Sequence, residues 1–211
     1  GKTTLCDVIT GKVKPTTGKV YFKGKEISTL AEYRIARLGI GRKFQTPRVF
    51  LNLTVFENIE LAFNQDKGVL PTLFSFRSAA DRERIYEVLD VCGLKEVADV
   101  PAGILSHGQK QWLEIGTIVA QDPDLILLDE CVAGMTDKET EETGKLIEVL
   151  SEEHAILAIE HDMVFVRQIA RTVTVLHQGM TLCEGSFEEV QNDPRVIEVY
   201  LGSHKEETAV S

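Results

Sequence analysis

Residues 125–129 read LILLD, and no surface element can be made from them. The run is short, bounded by turn-forming residues and apolar on both faces, as in a strand buried on both sides of a parallel sheet. Its surroundings fit the same picture. Helical patterns are predicted over 109–121 before it and over 137–151 after it. AILAIEH, a helix over 162–170 and TVTVLHQG follow. Strand–helix alternation with right-handed crossovers implies an α/β fold with a mainly parallel sheet. MTLCEG reads as the hairpin partner of TVTVLHQG, and a short helical tail is expected to end at Gly202.

The first half is less regular. Residues 1–11 have helix character, with Leu5, Val8 and Ile9 on one face. PTTGKVYFKGKEI reads as a turn and then a strand alternating Val20 and Phe22 with lysines. A short helix around 32–38 leads into GIGRKFQ, another strand. Between Thr54 and about Gly103 the texture changes to TVFENIELAF and AADRERIYEVLDVCGL, both helical, joined by a loop bearing Gly and Pro. This stretch is expected to be a helical insertion.

Charge and cysteine use narrow the class. The formal net charge of -10 argues against nucleic acid as a partner. The four cysteines are scattered without metal-ligand spacing, which fits reduced thiols in a cytosolic protein. No apolar stretch approaches the roughly 18 residues that span a bilayer, and neither end carries a targeting signal. Membrane association is therefore expected to come through a partner.

Several short motifs carry chemistry. GKTT at residues 1–4 matches the end of G-x-x-x-x-G-K-[ST], in which backbone N–H groups cradle phosphates. Lys2 would reach the terminal phosphates and the Thr3 hydroxyl a Mg²⁺ ion, with Thr4 beside them. Alone, the four letters fit a glycine-started helix as well. Asp129 and Glu130 end the buried strand at the sheet edge where α/β folds bind ligands. Asp129 could hold Mg²⁺, and Glu130 could orient or deprotonate an attacking water. His161, at the end of AILAIEH, is expected at the same edge, and Gln45 closes an earlier strand within reach of a metal or water. LSHGQKQW at 105–112 poses a separate question: Ser106 and Gln109 fit a capping box, yet the helix has no acid in its first turn to offset its dipole.

In the order GKTT, KFQ, LSHGQ, LILLDE and EH, these motifs resemble the ATPase subunit of an ABC transporter across essentially the whole chain. The resemblance implies ATP as substrate, Mg²⁺ as cofactor and transport-coupled ATP hydrolysis. It makes Gly1, Lys2, Thr3 and Thr4 the end of Walker A, Gln45 the Q-loop glutamine and Leu105–Gln109 the signature. Asp129 and Glu130 become the Walker B pair, Ala133–Thr136 the D-loop and His161 the switch histidine. Thr3, Gln45 and Asp129 would hold the metal, with Glu130 and His161 catalytic. Residues 1–53 and 104–211 would form the RecA-like core, lacking its N-terminal strands and the first part of Walker A. Residues 54–103 would form the α-helical subdomain that receives the transmembrane permease subunits.

The resemblance also answers the question of the acid-free helix. Such ATPases pair head to tail, as homo- or heterodimers. The signature helix of one subunit points at the γ-phosphate bound by the other, so Ser106, Gly108 and Gln109 are left for an anion supplied in trans. A solute-binding protein would be an indirect partner, and the subunit would sit peripherally on the cytoplasmic face of the plasma membrane. The chain departs from the family pattern at His107, where glycine is usual, at Cys131 in place of proline, and at Thr136 in place of the D-loop aspartate.

GRKFQTPRVFLNLTVFENIELA and NDPRVIEVYLG resemble the ATPases of branched-chain amino acid-type importers, while LSHGQKQWLEIG and VAGMTDKETEETGKLI look closer to the urea-importing members. The sequence reading therefore expects urea as cargo, with branched-chain amino acids as the alternative. A soluble ABC ATPase of DNA repair or translation, and a binding-only subunit, are the readings from other classes.

Overall fold

The computed structural model describes residues 1–43, 49–63 and 79–199. Its centre is a three-stranded parallel sheet in the order β3-β4-β5, formed by β3 (Ile40–Lys43), β4 (Leu125–Asp129) and β5 (Ala155–Ile159). Leu127 of β4 stands opposite Arg42 of β3 and Leu157 of β5. Successive β4 side chains go to opposite faces. Ile126 and Leu128 enter one apolar cluster, and Leu127 enters another. That division is why LILL carries no polar alternation.

The smaller cluster lies under α1 (Lys2–Ile9) and α2 (Glu32–Ala36), which contribute Cys6 and Ile35 beside Ile27, Ile40 and Ile159. The larger one gathers the remaining long helices. α5 (His107–Val119), α6 (Asp137–Leu150) and α7 (Met163–Ile169) cover that face with Leu113, Leu146 and Phe165. The helices α3 (Val55–Phe63) and α4 (Ala79–Val91), on either side of the predicted Gly/Pro loop, add Ile59 and Leu89 to the same cluster. That loop lies outside the described residues.

Two hairpins complete the described chain. The stretch read as one strand around Val20 and Phe22 is a pair, β1 (Tyr21–Phe22) and β2 (Lys25–Glu26). Lys23 and Gly24 both take positive φ between them, at 48° and 74°, the conformation of a tight two-residue hairpin turn. β6 (Val173–His177) and β7 (Met180–Gly185) form the second hairpin, as expected, across Gln178 and Gly179. Strand–helix alternation reaches β6, but among the described residues β6 bonds to β7 and not to the parallel sheet. The short helix α8 (Phe187–Gln191) follows, and residues 194–199 are helical; the expected end at Gly202 lies outside the described residues.

Among the described residues no helix is long and apolar enough to cross a membrane. The four cysteines are unpaired thiols. Burial pushes the Cys6 thiol up to about 11 and the Cys92 thiol to about 12.

Candidate functional site at the carboxyl edge of the parallel sheet

The GKTT residues begin α1, with Gly1 as N-cap, no side-chain cap and no acid in the first turn. Residues 1–5 are exposed and the chain first enters the core at Cys6. One residue later, Asp7 accepts a hydrogen bond from Arg42 Nη1 at 2.5 Å. Arg42 Nη2 donates in turn to Asp129 Oδ2 at 3.2 Å. Arg42 is 6% exposed and Asp129 2%, so this is a buried bridge from α1 to the end of β4. The guanidinium beside Asp7 is the leading cause that holds its carboxyl below the ordinary value. Arg42 lies in the GIGRKFQ motif, and the sequence reading did not single it out. Its signal is a cation on the strand adjacent to LILLD.

Asp129 Oδ1 is buried and accepts no hydrogen bond among the described residues. A buried carboxylate oxygen without a partner is costly unless a ligand completes it, and a hard oxygen donor suits Mg²⁺. The residues present therefore fit a magnesium site on this side of Asp129. Gln45 lies outside the described residues.

Glu130 takes φ of 50°, in the left-handed region. For a residue other than glycine this conformation is uncommon and concentrates at functional sites. It turns the chain sharply out of β4 while the Glu130 N–H remains bonded to the Ile159 carbonyl at 2.9 Å. The turn places Glu130 Oε1 3.8 Å from His161 Nδ1, which follows β5 by two residues. Both side chains reach solvent, His161 at 66% exposure and Glu130 at 34%.

Next to His161 in the chain is a carboxylate that the sequence reading passed over. Glu160 is buried, and burial raises its pKa. Its Oε1 accepts from the Cys131 backbone N–H at 2.6 Å. A proline at 131 has no such donor, so the departure from the family pattern is used here as a hydrogen bond. Beneath the edge, Lys43 is fully buried and pairs with Glu114 of α5 at 3.7 Å.

The signature-like stretch makes a second group. Ser106 caps α5, accepting from the Gln109 N–H at 3.1 Å, while Gln109 Oε1 accepts from the Ser106 N–H at 3.0 Å. The predicted capping box is present, with the helix beginning at His107 rather than 109. The missing first-turn acid is supplied from elsewhere. Glu139 of α6 accepts from Ser106 Oγ through Oε1 at 3.2 Å. Its Oε2 accepts from the Thr136 N–H and hydroxyl, both at 3.0 Å. These bonds, led by the Thr136 N–H, hold the Glu139 carboxyl below its ordinary value.

His107 adds a second tie, with Nε2 3.1 Å from the Ala133 carbonyl. The D-loop-like residues 133–136 and the start of α5 are thus locked together within one chain. Thr136-x-x-Glu139 is legible as a capping box. The reach of the same carboxylate to Ser106 is a tertiary fact with no sequence signal.

Comparison with known proteins bears on both groups. The family model described as ABC transporter matches residues 1–133, and that described as branched-chain amino acid ATP-binding cassette transporter matches residues 181–206. The chain is 38% identical to the high-affinity branched-chain amino acid transport ATP-binding protein LivG of Escherichia coli (strain K12), over 96% of this chain and 83% of LivG. Among solved structures it is similar to the ADP conformation of MJ1267, an ATP-binding cassette of an ABC transporter. The TM-score is 0.80 at 30% identity, over 96% of this chain and 84% of that one. It is also similar to a dimeric post-hydrolysis state of the ATP-binding cassette MJ0796 bound to ADP and Pi, with a TM-score of 0.73 at 26% identity over 89% and 81%.

Proposed function

The chain belongs to the ABC transporter ATP-binding family, whose cassettes are transport ATPases, and from that premise we propose that it powers a branched-chain amino acid-type importer. The match of residues 181–206 to the branched-chain model and the likeness to LivG favour this cargo over urea, which the sequence reading preferred. LSHGQKQW and VAGMTD, the grounds for urea, lie on α5 and the D-loop, where this fold handles phosphate and not solute. Uptake in the host separates the two. Deleting the gene should abolish high-affinity leucine uptake and spare urea uptake; the reverse outcome restores the urea assignment.

The observation that carries the mechanism is the meeting of Glu130 and His161 at the ends of adjacent parallel strands, beside an Asp129 with an oxygen that has no partner among the described residues. Gly1, Lys2, Thr3 and Thr4 hold the phosphates of ATP at the start of α1. Asp129, Thr3 and Gln45 would hold Mg²⁺, which when bound would supply positive charge to offset that of the transferring phosphoryl group. Glu130 takes a proton from the attacking water while phosphorus–oxygen cleavage releases ADP and phosphate. His161 orients Glu130 and the water. Ser106, Gly108 and Gln109 face the γ-phosphate of a second subunit in a head-to-tail dimer.

Residues 54–103 serve as the helical subdomain between this core, residues 1–53 and 104–211, and the transmembrane permease subunits at the cytoplasmic face of the plasma membrane. A solute-binding protein acts only through those permease subunits. Replacing Glu130 by Gln should preserve ATP binding and slow hydrolysis by about 10²–10⁴-fold, with an ATP-bound dimer accumulating in gel filtration. Full hydrolysis by the Glu130→Gln protein would remove Glu130 from the catalytic role.

A further inference from the structure

We infer that Glu139 is a positioning residue of the ATPase cycle, holding the start of α5 in cis and yielding it to the γ-phosphate in trans. The inference rests on the head-to-tail reading above and adds a residue to it.

One carboxylate spans two helix starts. Oε2 completes the cap of α6 through Thr136, and Oε1 takes the Ser106 hydroxyl. A side chain at 108 would put its Cβ 2.5 Å from Glu139 Oε1, so the glycine is what lets the carboxylate in. α5 brings no acid of its own to this end, and a helix N-terminus favours an anion. Glu139 is therefore the resident anion of the signature turn.

The donor it occupies, Ser106 Oγ–H, is one of those assigned to the phosphate in trans. Two anions cannot share it without repulsion. Closing the dimer therefore requires the carboxylate to give up Ser106 while Thr136 retains it. Because Thr136 belongs to the D-loop, arrival of phosphate at the signature is felt at once in the loop that follows Glu130.

Glu139→Gln separates charge from structure. A glutamine oxygen still completes a capping box, but the anion is gone. In a Glu130→Gln background, the ATP concentration for half-maximal dimer formation, read by light scattering, should fall about tenfold on adding Glu139→Gln. Glu139→Ala should move it in the same direction at a lower unfolding midpoint, so the inference stays testable if the Gln variant folds poorly. A merely structural role predicts the opposite, because a loosened turn dimerises less readily. A midpoint that is unchanged or raised in both variants, with Glu130→Gln itself dimerising normally, overturns this inference alone. Failure of Glu130→Gln to dimerise at any ATP concentration overturns the head-to-tail reading and this inference with it.

Discussion

Helix α1 starts at Lys2 with no side-chain cap and no acid in its first turn, whereas α5 starts under a complete capping box with Glu139 of α6 laid across it. Both ends are positive by the same backbone physics. The difference lies in where each finds its anion. On the proposed function the α1 end would rely on a ligand that the same subunit binds, with Lys2 and Thr3 to add charge and hydroxyl for it. On the head-to-tail reading the α5 end would receive its phosphate only on dimerisation, and in the single chain its serine hydroxyl is already taken by Glu139. An end with a resident anion keeps its shape between encounters; an end without one depends on its ligand for completion.

The largest expected effect sets the two ends apart by binding. Lys2→Met should weaken MgATP binding by about 10–100-fold, the loss of one charge-assisted hydrogen bond, measured by calorimetry on the monomer. Ser106→Arg should leave that affinity within about twofold yet abolish the ATP-bound dimer. If Ser106→Arg weakens monomer binding as much as Lys2→Met does, the two ends are not separate sites.

A smaller effect concerns folding. Ser106→Ala removes a cap and should cost about 1 kcal/mol in urea unfolding. Thr3→Ala removes no cap and should change stability by less than about 0.5 kcal/mol. Equal losses would erase the contrast.

The smallest is in the acid limb. Glu139 and Asp7 have folded pKa values below their ordinary values of 4.5 and 3.8. Their contribution is present above those ordinary values and is lost as pH falls through the folded ones. Glu139→Gln should flatten the stability–pH curve below about pH 4.5, and Asp7→Asn should do so at slightly lower pH. A curve left unchanged by Glu139→Gln would mean that its carboxylate is not held by Ser106 and Thr136 in solution.

Much of this architecture was legible because it rests on local pattern. LILLD announced a strand buried on two faces. Ser106 with Gln109 announced a helix start, and the ends of α6 and α7 fall within about one residue of the helical patterns. The hairpin at Lys23-Gly24 was missed because two-residue strands are too short to show a period, although the glycine in its turn was the available signal. At the candidate site, the positions of Asp129, Glu130 and His161 were readable from strand ends. Arg42, Glu160 and Glu139 were not, since each acts across a distance in sequence: Arg42 to Asp7 and Asp129, Glu160 to Cys131, and Glu139 to Ser106. Lys43 shows the limit most plainly. In sequence it is one more lysine beside an aromatic residue, and only the fold places it fully buried against Glu114.

That placement has a mechanical side. α5 is a single uninterrupted helix about 20 Å long with Ser106 at one end. Glu114 engages Lys43 midway, and Ile118 packs so closely over Gly41 that any Cβ added there would collide with its Cγ2. Two contacts on one strand, one ionic and one steric, leave the helix little room to slide along β3. α5 therefore resembles a beam clamped to β3 over its far half, with the turn held by Glu139 at its other end.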